Sequence, residues 1–135
     1  MGLKVYFDTC LAIYLVEEHT VYCEPLEELI ASEAVNICSS YLTEMECLVV
    51  PARLGNSKLI RKFHDWFSVI SLFELPRGVF EQAALLRAKQ PRLRTPDALH
   101  LATAIHFGCD EFWTNDNRLA GLGGLNVRNV FDTNS

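Results

Sequence analysis

Short apolar runs alternate with amphipathic segments along this chain. Leu3-Lys4-Val5-Tyr6-Phe7 has the pattern of a buried strand: apolar, β-branched and aromatic, with no helical period. Leu11 to Glu18 predicts a short helix, with Asp8 or Thr9 available as its N-cap. Glu24-Pro25 opens a second helix to about Ser32, with Pro25 at the first helical position and Leu26, Leu29 and Ile30 as its apolar stripe. Ala34 to Cys38 predicts a second strand. Ser39 or Ser40 then begins a turn, and a helix runs from Tyr41 to Leu54 until Gly55-Asn56 ends it. Lys58 to Phe67 is a further helix, Ser68 to Phe73 a third strand closed by Pro76, and Arg77 to Lys89 a helix with Val79, Ala83 and Leu86 facing inward. Thr95 to Phe107 carries the plainest helix signal. Thr95 suits the N-cap, Pro96 N1 and Gly108 C′, while Ala98, Leu101, Ala102 and Ile105 repeat at i, i+3, i+4 and i+7. Glu111 to Thr114 and Leu125 to Val130 complete five strands.

Strands alternating with helices imply a parallel sheet covered on both faces. In such sheets the ligand site lies beyond the carboxyl ends of the strands. The chain has 135 residues, half of them apolar and 21% charged, which fits one globular domain over residues 1–131 with a loose tail at 132–135. Asp8 breaks the apolar start and Lys4 is its only early base, so it does not read as a signal peptide. Tyr6 likewise spoils a lipidation motif after Met1-Gly2. No run approaches the ~18 apolar residues of a membrane span. A cytoplasmic protein is expected, with no membrane partner. Cys10, Cys23, Cys38, Cys47 and Cys109 form no C-x-x-C pair and are expected to be reduced, mostly buried small hydrophobes.

Charge is unevenly spread. Residues 1–52 carry nine acids and one base, residues 53–94 nine bases and three acids, and residues 95–135 five acids and two bases. An acidic site beside a basic region could hold a cation and a phosphate backbone together.

Four acids stand out: Asp8, Glu46, Asp97 and Asp116. Each has a structural reading. Asp8 can cap a helix, Thr43-x-x-Glu46 fits a capping box with Glu46 at N3, Asp97 at N2 meets a helix dipole, and Asn115-Asp116 is an ordinary turn pair. The α/β pattern puts Asp8 and Asp116 just past strand ends and Asp97 at the start of the helix feeding the fourth strand. Two carboxylates about 5 Å apart repel by roughly 3 kcal/mol at an effective dielectric of 20. A cluster of three or four therefore protonates or binds a cation. All-oxygen ligands favour Mg²⁺ or Mn²⁺ over zinc, and such a site suits phosphodiester hydrolysis by metal-activated water. His100, His106 and His64 read as surface or satisfied core histidines. Lys58, Arg61 and Lys62 read as a solvated face. Arg87, Lys89, Arg92 and Arg94 are better placed to touch a phosphate backbone.

These segments, in this order, resemble the PIN-domain ribonucleases, and within them the VapC-type toxins of toxin–antitoxin modules. Val5-Tyr6-Phe7-Asp8-Thr9 resembles the opening strand and first acid. Ser40-Tyr41-Leu42-Thr43-Glu44-Met45-Glu46, with Pro51 and Arg53, resembles the second segment, where the acid five residues before the proline is the functional one; this selects Glu46 over Glu44. Leu93-Arg94-Thr95-Pro96-Asp97-Ala98-Leu99-His100-Leu101-Ala102-Thr103-Ala104 resembles the third, and Thr114-Asn115-Asp116 the fourth. Cys10 departs from the family's usual Asp-Thr-Asn or Asp-Ser-Asn. The resemblance implies a three-layer α/β/α domain and Mg²⁺- or Mn²⁺-dependent endoribonuclease activity on structured RNA such as tRNA or ribosomal RNA. It also implies a homodimer and a small cognate antitoxin. Asp8 and Asp97 are then the principal metal ligands, Glu46 and Asp116 complete the site, and Thr114 orients a water.

Three rivals stand beside this reading. A phosphatase of the haloacid-dehalogenase kind needs a second aspartate two residues after the first, where Cys10 stands. A two-component receiver domain needs an acidic pair near the first strand and a late lysine that do not match. A catalytically silent PIN-like module binding RNA or protein would keep the fold without metal-dependent cleavage.

Overall fold

A computed structural model describes residues 2–122 and 124–132. Its elements are β1 (Leu3–Phe7), α1 (Thr9–Val16), α2 (Cys23–Ser32), β2 (Val35–Ser40), α3 (Tyr41–Arg53), α4 (Ser57–Ser68), β3 (Ser71–Phe73), α5 (Arg77–Lys89), α6 (Thr95–His106), β4 (Glu111–Thr114), a 3-10 turn (Asn117–Leu119) and β5 (Asn126–Asn129). The strands form one sheet in the order β3-β2-β1-β4-β5, and every neighbouring pair is parallel. Helices cover both faces, giving the three-layer α/β/α architecture expected. Residues 133–135, most of the expected tail, lie outside the described residues.

Alternation along the strands sorts side chains between the layers. Tyr6 of β1 and Phe112 of β4 face α5 and α6, packing with Val79, Ala83, Leu86, Ala98 and Leu101. Val5, Phe7 and Trp113 face the other way, onto Leu11 of α1 and Leu26 of α2. A third cluster, Ala12, Val16, Cys47, Phe63 and Phe67, ties α1 to α3 and α4. Each fully buried Val, Leu or Phe among them contributes about 1.5–3 kcal/mol.

Several expected boundaries shift for identifiable reasons. α1 begins at Thr9 because Asp8 caps it, accepting from the Thr9 amide at 2.8 Å. β2 runs on through the two serines expected to turn. Both are buried, and both hydroxyls find partners: Ser39 Oγ donates to Phe7 O at 3.1 Å, and Ser40 Oγ lies 2.7 Å from Tyr6 Oη. β3 starts only at Ser71 because α4 extends to Ser68. Pro25 is the third residue of α2, where its missing N–H is still one that the helix would not use. In α6 Arg94, not Thr95, is the N-cap, which moves Asp97 from N2 to N3 and keeps it in the positive first turn.

The topology also fixes where a ligand would go. Crossovers from β1 step towards β3 on one side, while β4 and β5 lie on the other. The order therefore reverses between β1 and β4, and the crevice of such a sheet opens at that switch point, beyond the carboxyl ends. α1 and α3 start at this edge because they follow β1 and β2. α6 starts there because it must run back to feed β4.

Candidate active site

Asp8 follows the last residue of β1, and Thr114 is the last residue of β4. The parallel register pairs Phe7 with Trp113, which brings the two together across the switch point. Thr114 Oγ1 donates to Asp8 Oδ2 at 2.7 Å and accepts from the Asp116 amide at 3.1 Å. On the other side of Asp8, the Thr9 hydroxyl donates to Glu46 Oε1 at 2.6 Å. A continuous run of hydrogen bonds thus leads from Asp116 through Thr114, Asp8 and Thr9 to Glu46. The capping-box reading of Glu46 fails: the N-cap of α3 is Ser40, Thr43 lies inside the first turn, and the Glu46 carboxylate turns to Thr9 and His100.

His100 is a satisfied core histidine, one of the two expected readings, and it holds one of the four acids. It is buried in α6, with Nε2 2.6 Å from Glu46 Oε1 and Nδ1 2.7 Å from Tyr6 Oη. An ionised carboxylate only accepts, so Nε2 donates to it. In the neutral ring Nδ1 then accepts from the Tyr6 hydroxyl, which in turn accepts from Ser40. The polar cluster is satisfied throughout: among the described residues no buried side-chain nitrogen or oxygen lacks a partner. Burial alone raises the Glu46 pKa, but His100 and Thr9 outweigh it and hold the carboxyl below the usual glutamate range. Burial also pushes Tyr6 well above the ordinary phenol range, keeping it a neutral donor.

Asp97 is different. Burial, and then the charge of Asp8, raise its pKa, against the pull of Arg94 at 3.5 Å. Asp116 is lowered, first by the hydrogen bonds of Arg118, whose Nε lies 2.9 Å and 3.0 Å from its two carboxylate oxygens. Cys10 sits in the place where the family motif has a polar residue. It is pushed up to about 12, by burial and then by Asp8, so it remains a thiol.

The four acids converge on one edge, but they do not form a ready cage. Among the described residues no group of three or more His, Cys, Asp and Glu side chains is placed to hold a metal ion. The reason is local. Glu46 is drawn to His100, Asp97 to Arg94 and Asp116 to Arg118, so the carboxylates splay towards their own partners. The donor set still fits a hard cation of the Mg²⁺ type, which is usually held by one or two carboxylates and substrate phosphate oxygens. Asp97, whose charge burial and then Asp8 disfavour, is a carboxylate that a cation would relieve.

The basic residues divide. Arg87 Nε donates to Leu93 O at 2.9 Å and pins the α5–α6 connection. Arg94 pairs with Asp97, whereas Arg92 and Arg118 line a cleft beside the acids. Lys89 lines a separate groove with Gln82 and Leu85. Arg118 was not singled out in the sequence; the available signal was its place two residues after Asp116.

A crevice of carboxylates and threonines at the switch point of a 3-2-1-4-5 parallel sheet defines a class of α/β protein. The PIN domain family model matches residues 5–125, so the chain belongs to the PIN-domain family. No curated protein matches the sequence. Solved structures do. VapBC2 from Rickettsia felis bound to a promoter DNA fragment is similar with a TM-score of 0.77 at 15% identity, covering 93% of this chain and 98% of that one. A toxin–antitoxin complex from Klebsiella pneumoniae gives 0.77 at 22% identity, covering 95% and 98%. VapC20 of Mycobacterium tuberculosis, a toxin that cleaves the sarcin–ricin loop, gives 0.67 at 18% identity, covering 90% and 98%. At these identities the likeness establishes the fold. Among the described residues no helix is long and apolar enough to cross a membrane.

Proposed function

We propose that this chain is a divalent-metal-dependent endoribonuclease, the VapC-type toxin of a toxin–antitoxin pair. The observation that carries the reading is the run of hydrogen bonds joining Asp8, Glu46 and Asp116 at the switch point of a PIN-domain sheet. PIN nucleases generally use divalent metals, and the solved relatives include toxin–antitoxin complexes and a sarcin–ricin-loop-cleaving toxin. These support a small antitoxin partner and an RNA substrate; a homodimer is part of the same reading.

Asp8 and Asp97 would hold Mg²⁺ or Mn²⁺, with Glu46 and Asp116 completing the site. The cation would lower the pKa of an attacking water and offset charge developing on the phosphate. The chain's own residues supply position. Thr114 and the Thr9 amide fix the two oxygens of Asp8, and His100 fixes Glu46 as an ionised acceptor for a water's hydrogen bond. Arg118 and Arg92 stand where a phosphate backbone would pass.

A catalytically silent PIN-like module that binds RNA or protein is the second reading, favoured by the pairing of three acids with His100, Arg94 and Arg118. Incubating the purified protein with total RNA, with Mn²⁺ or Mg²⁺ and with EDTA, beside Asp8→Asn, separates the two. New RNA ends that need the metal and Asp8 support the nuclease and, once sequenced, name the substrate. Cleavage by Asp8→Asn at the wild-type rate sinks the site; no metal-dependent ends at all favours the silent module.

A further inference from the structure

Beside the acids, a cleft of about 430 Å³ opens between the α5–α6 connection and the 3-10 turn after β4. Its volume lies within the ~300–1,000 Å³ of small-molecule sites. Leu93 and Leu119, both nearly buried, and the half-buried Leu122 give it an apolar floor. Gln90 lines it with an exposed amide that carries both donors and an acceptor. Asp97 is its shared wall with the acidic site, and Arg92 and Arg118 add cations.

That combination discriminates among ligands. A bare phosphate gains nothing from a leucine floor. A purely apolar side chain gains nothing from the amide and guanidinium groups. A flat heterocycle with a hydrogen-bonding edge and a phosphate attached uses all three. RNA-binding proteins take splayed single-stranded bases in this way, against guanidinium planes and with hydrogen bonds to the base edge. The arginines supply the charge complementarity.

Resting on the ribonuclease reading, we propose that this cleft is a base-specificity pocket: it receives one unpaired nucleobase next to the cleaved phosphate, with Gln90 reading the base edge and Arg92 and Arg118 contacting its phosphates. The substrate is then RNA with an unstacked nucleotide at the cut, in a loop or bulge, and the identity of that nucleotide is selected by this chain.

The test is binding without cleavage. The full chain, isotope-labelled and kept in EDTA, is titrated with the four 5′-mononucleotides, with ribose 5-phosphate and with N-acetylarginine amide, and amide shifts are followed by NMR. The expected result is saturable shifts confined to the amides around Gln90–Leu93 and Leu119–Leu122. One mononucleotide should bind roughly fivefold or more tighter than ribose 5-phosphate, the value of one good hydrogen bond. Gln90→Ala should remove that preference and keep ribose 5-phosphate binding. Equal affinity for every mononucleotide and ribose 5-phosphate overturns the proposal, as does a response at these amides to N-acetylarginine amide alone, which would mark a peptide pocket. Wild-type cleavage of RNA is scored separately. Base-dependent binding without cleavage sinks the ribonuclease reading, and with it the pocket's place beside a cut, leaving only a nucleotide-binding cleft; cleavage without base-dependent binding sinks the pocket alone.

Discussion

His100 Nε2 lies 2.6 Å from Glu46 Oε1, although the two residues are 54 positions apart and sit on different helices. This contact turns an α3 carboxylate away from its own helix end and into the crevice.

His100→Ala leaves both Glu46 and Tyr6 short of a partner. Supporting residues of this kind typically cost about 10–100-fold in activity or metal affinity. Losing one hydrogen bond of the buried Tyr6 hydroxyl, which keeps Ser40, adds about 0.5–1.5 kcal/mol of destabilisation. Cleavage rates and urea melts on the same preparation check both; an unchanged cleavage rate would count against the positioning role.

Thr114→Val removes the hydroxyl between Asp8 and the Asp116 amide while keeping a similar shape. A loss of about 10–100-fold in metal-dependent cleavage is expected. Thr114→Ser, which restores the hydroxyl, should recover most of it. Equal activity of the valine and serine variants would remove Thr114 from the site.

Asp97→Asn should separate stability from function. The Asp97 pKa is raised by burial and by Asp8, so its ionised form costs stability at neutral pH, and that cost is relieved as pH falls towards the raised value. The neutral amide is therefore expected to melt higher than wild type in EDTA and to cleave RNA far more slowly. Thermal melts with and without Mn²⁺ read this directly: metal should raise the wild-type melting point more than the variant's.

Glu46 has the opposite sign. Its pKa lies below the unfolded value of 4.5, so its contribution is fully present above that value and is lost as pH falls through the folded one. The stability difference between wild type and Glu46→Gln should be greatest near neutrality and shrink below about pH 4. Urea titrations at pH 7 and pH 3 supply the comparison.

Arg118→Ala should weaken RNA binding with little effect on the melting point, since the side chain is 63% exposed. If Arg118 contacts a phosphate of single-stranded RNA, the slope of log affinity against log salt should flatten by about 0.7. An unchanged slope would remove it from the RNA path.

Much of the fold was legible because periodicity reports burial directly. Every expected helix and strand exists, and Val79, Ala83 and Leu86 face inward as the spacing required. Asp8 could be placed at the sheet's carboxyl edge from its strand alone. Other features depend on tertiary register. Nothing in Thr43-x-x-Glu46 reveals that the glutamate prefers a histidine in α6 to its own helix terminus. Nothing in Arg94 or Arg118 reveals that each neutralises a neighbouring acid and opens the cluster. Family resemblance selects Glu46 over Glu44, and in the structure the Glu46 carboxylate bonds to Thr9 and His100.

The bond from Thr114 to Asp8 spans 106 positions of chain. The crevice therefore closes only when β4 pairs with β1. Its middle is the seam between β1 and β4, which no local stretch of chain builds alone. By the same logic, a cut that frees β4 takes the crevice apart while leaving Asp8, Glu46 and Asp97 in place on their own elements.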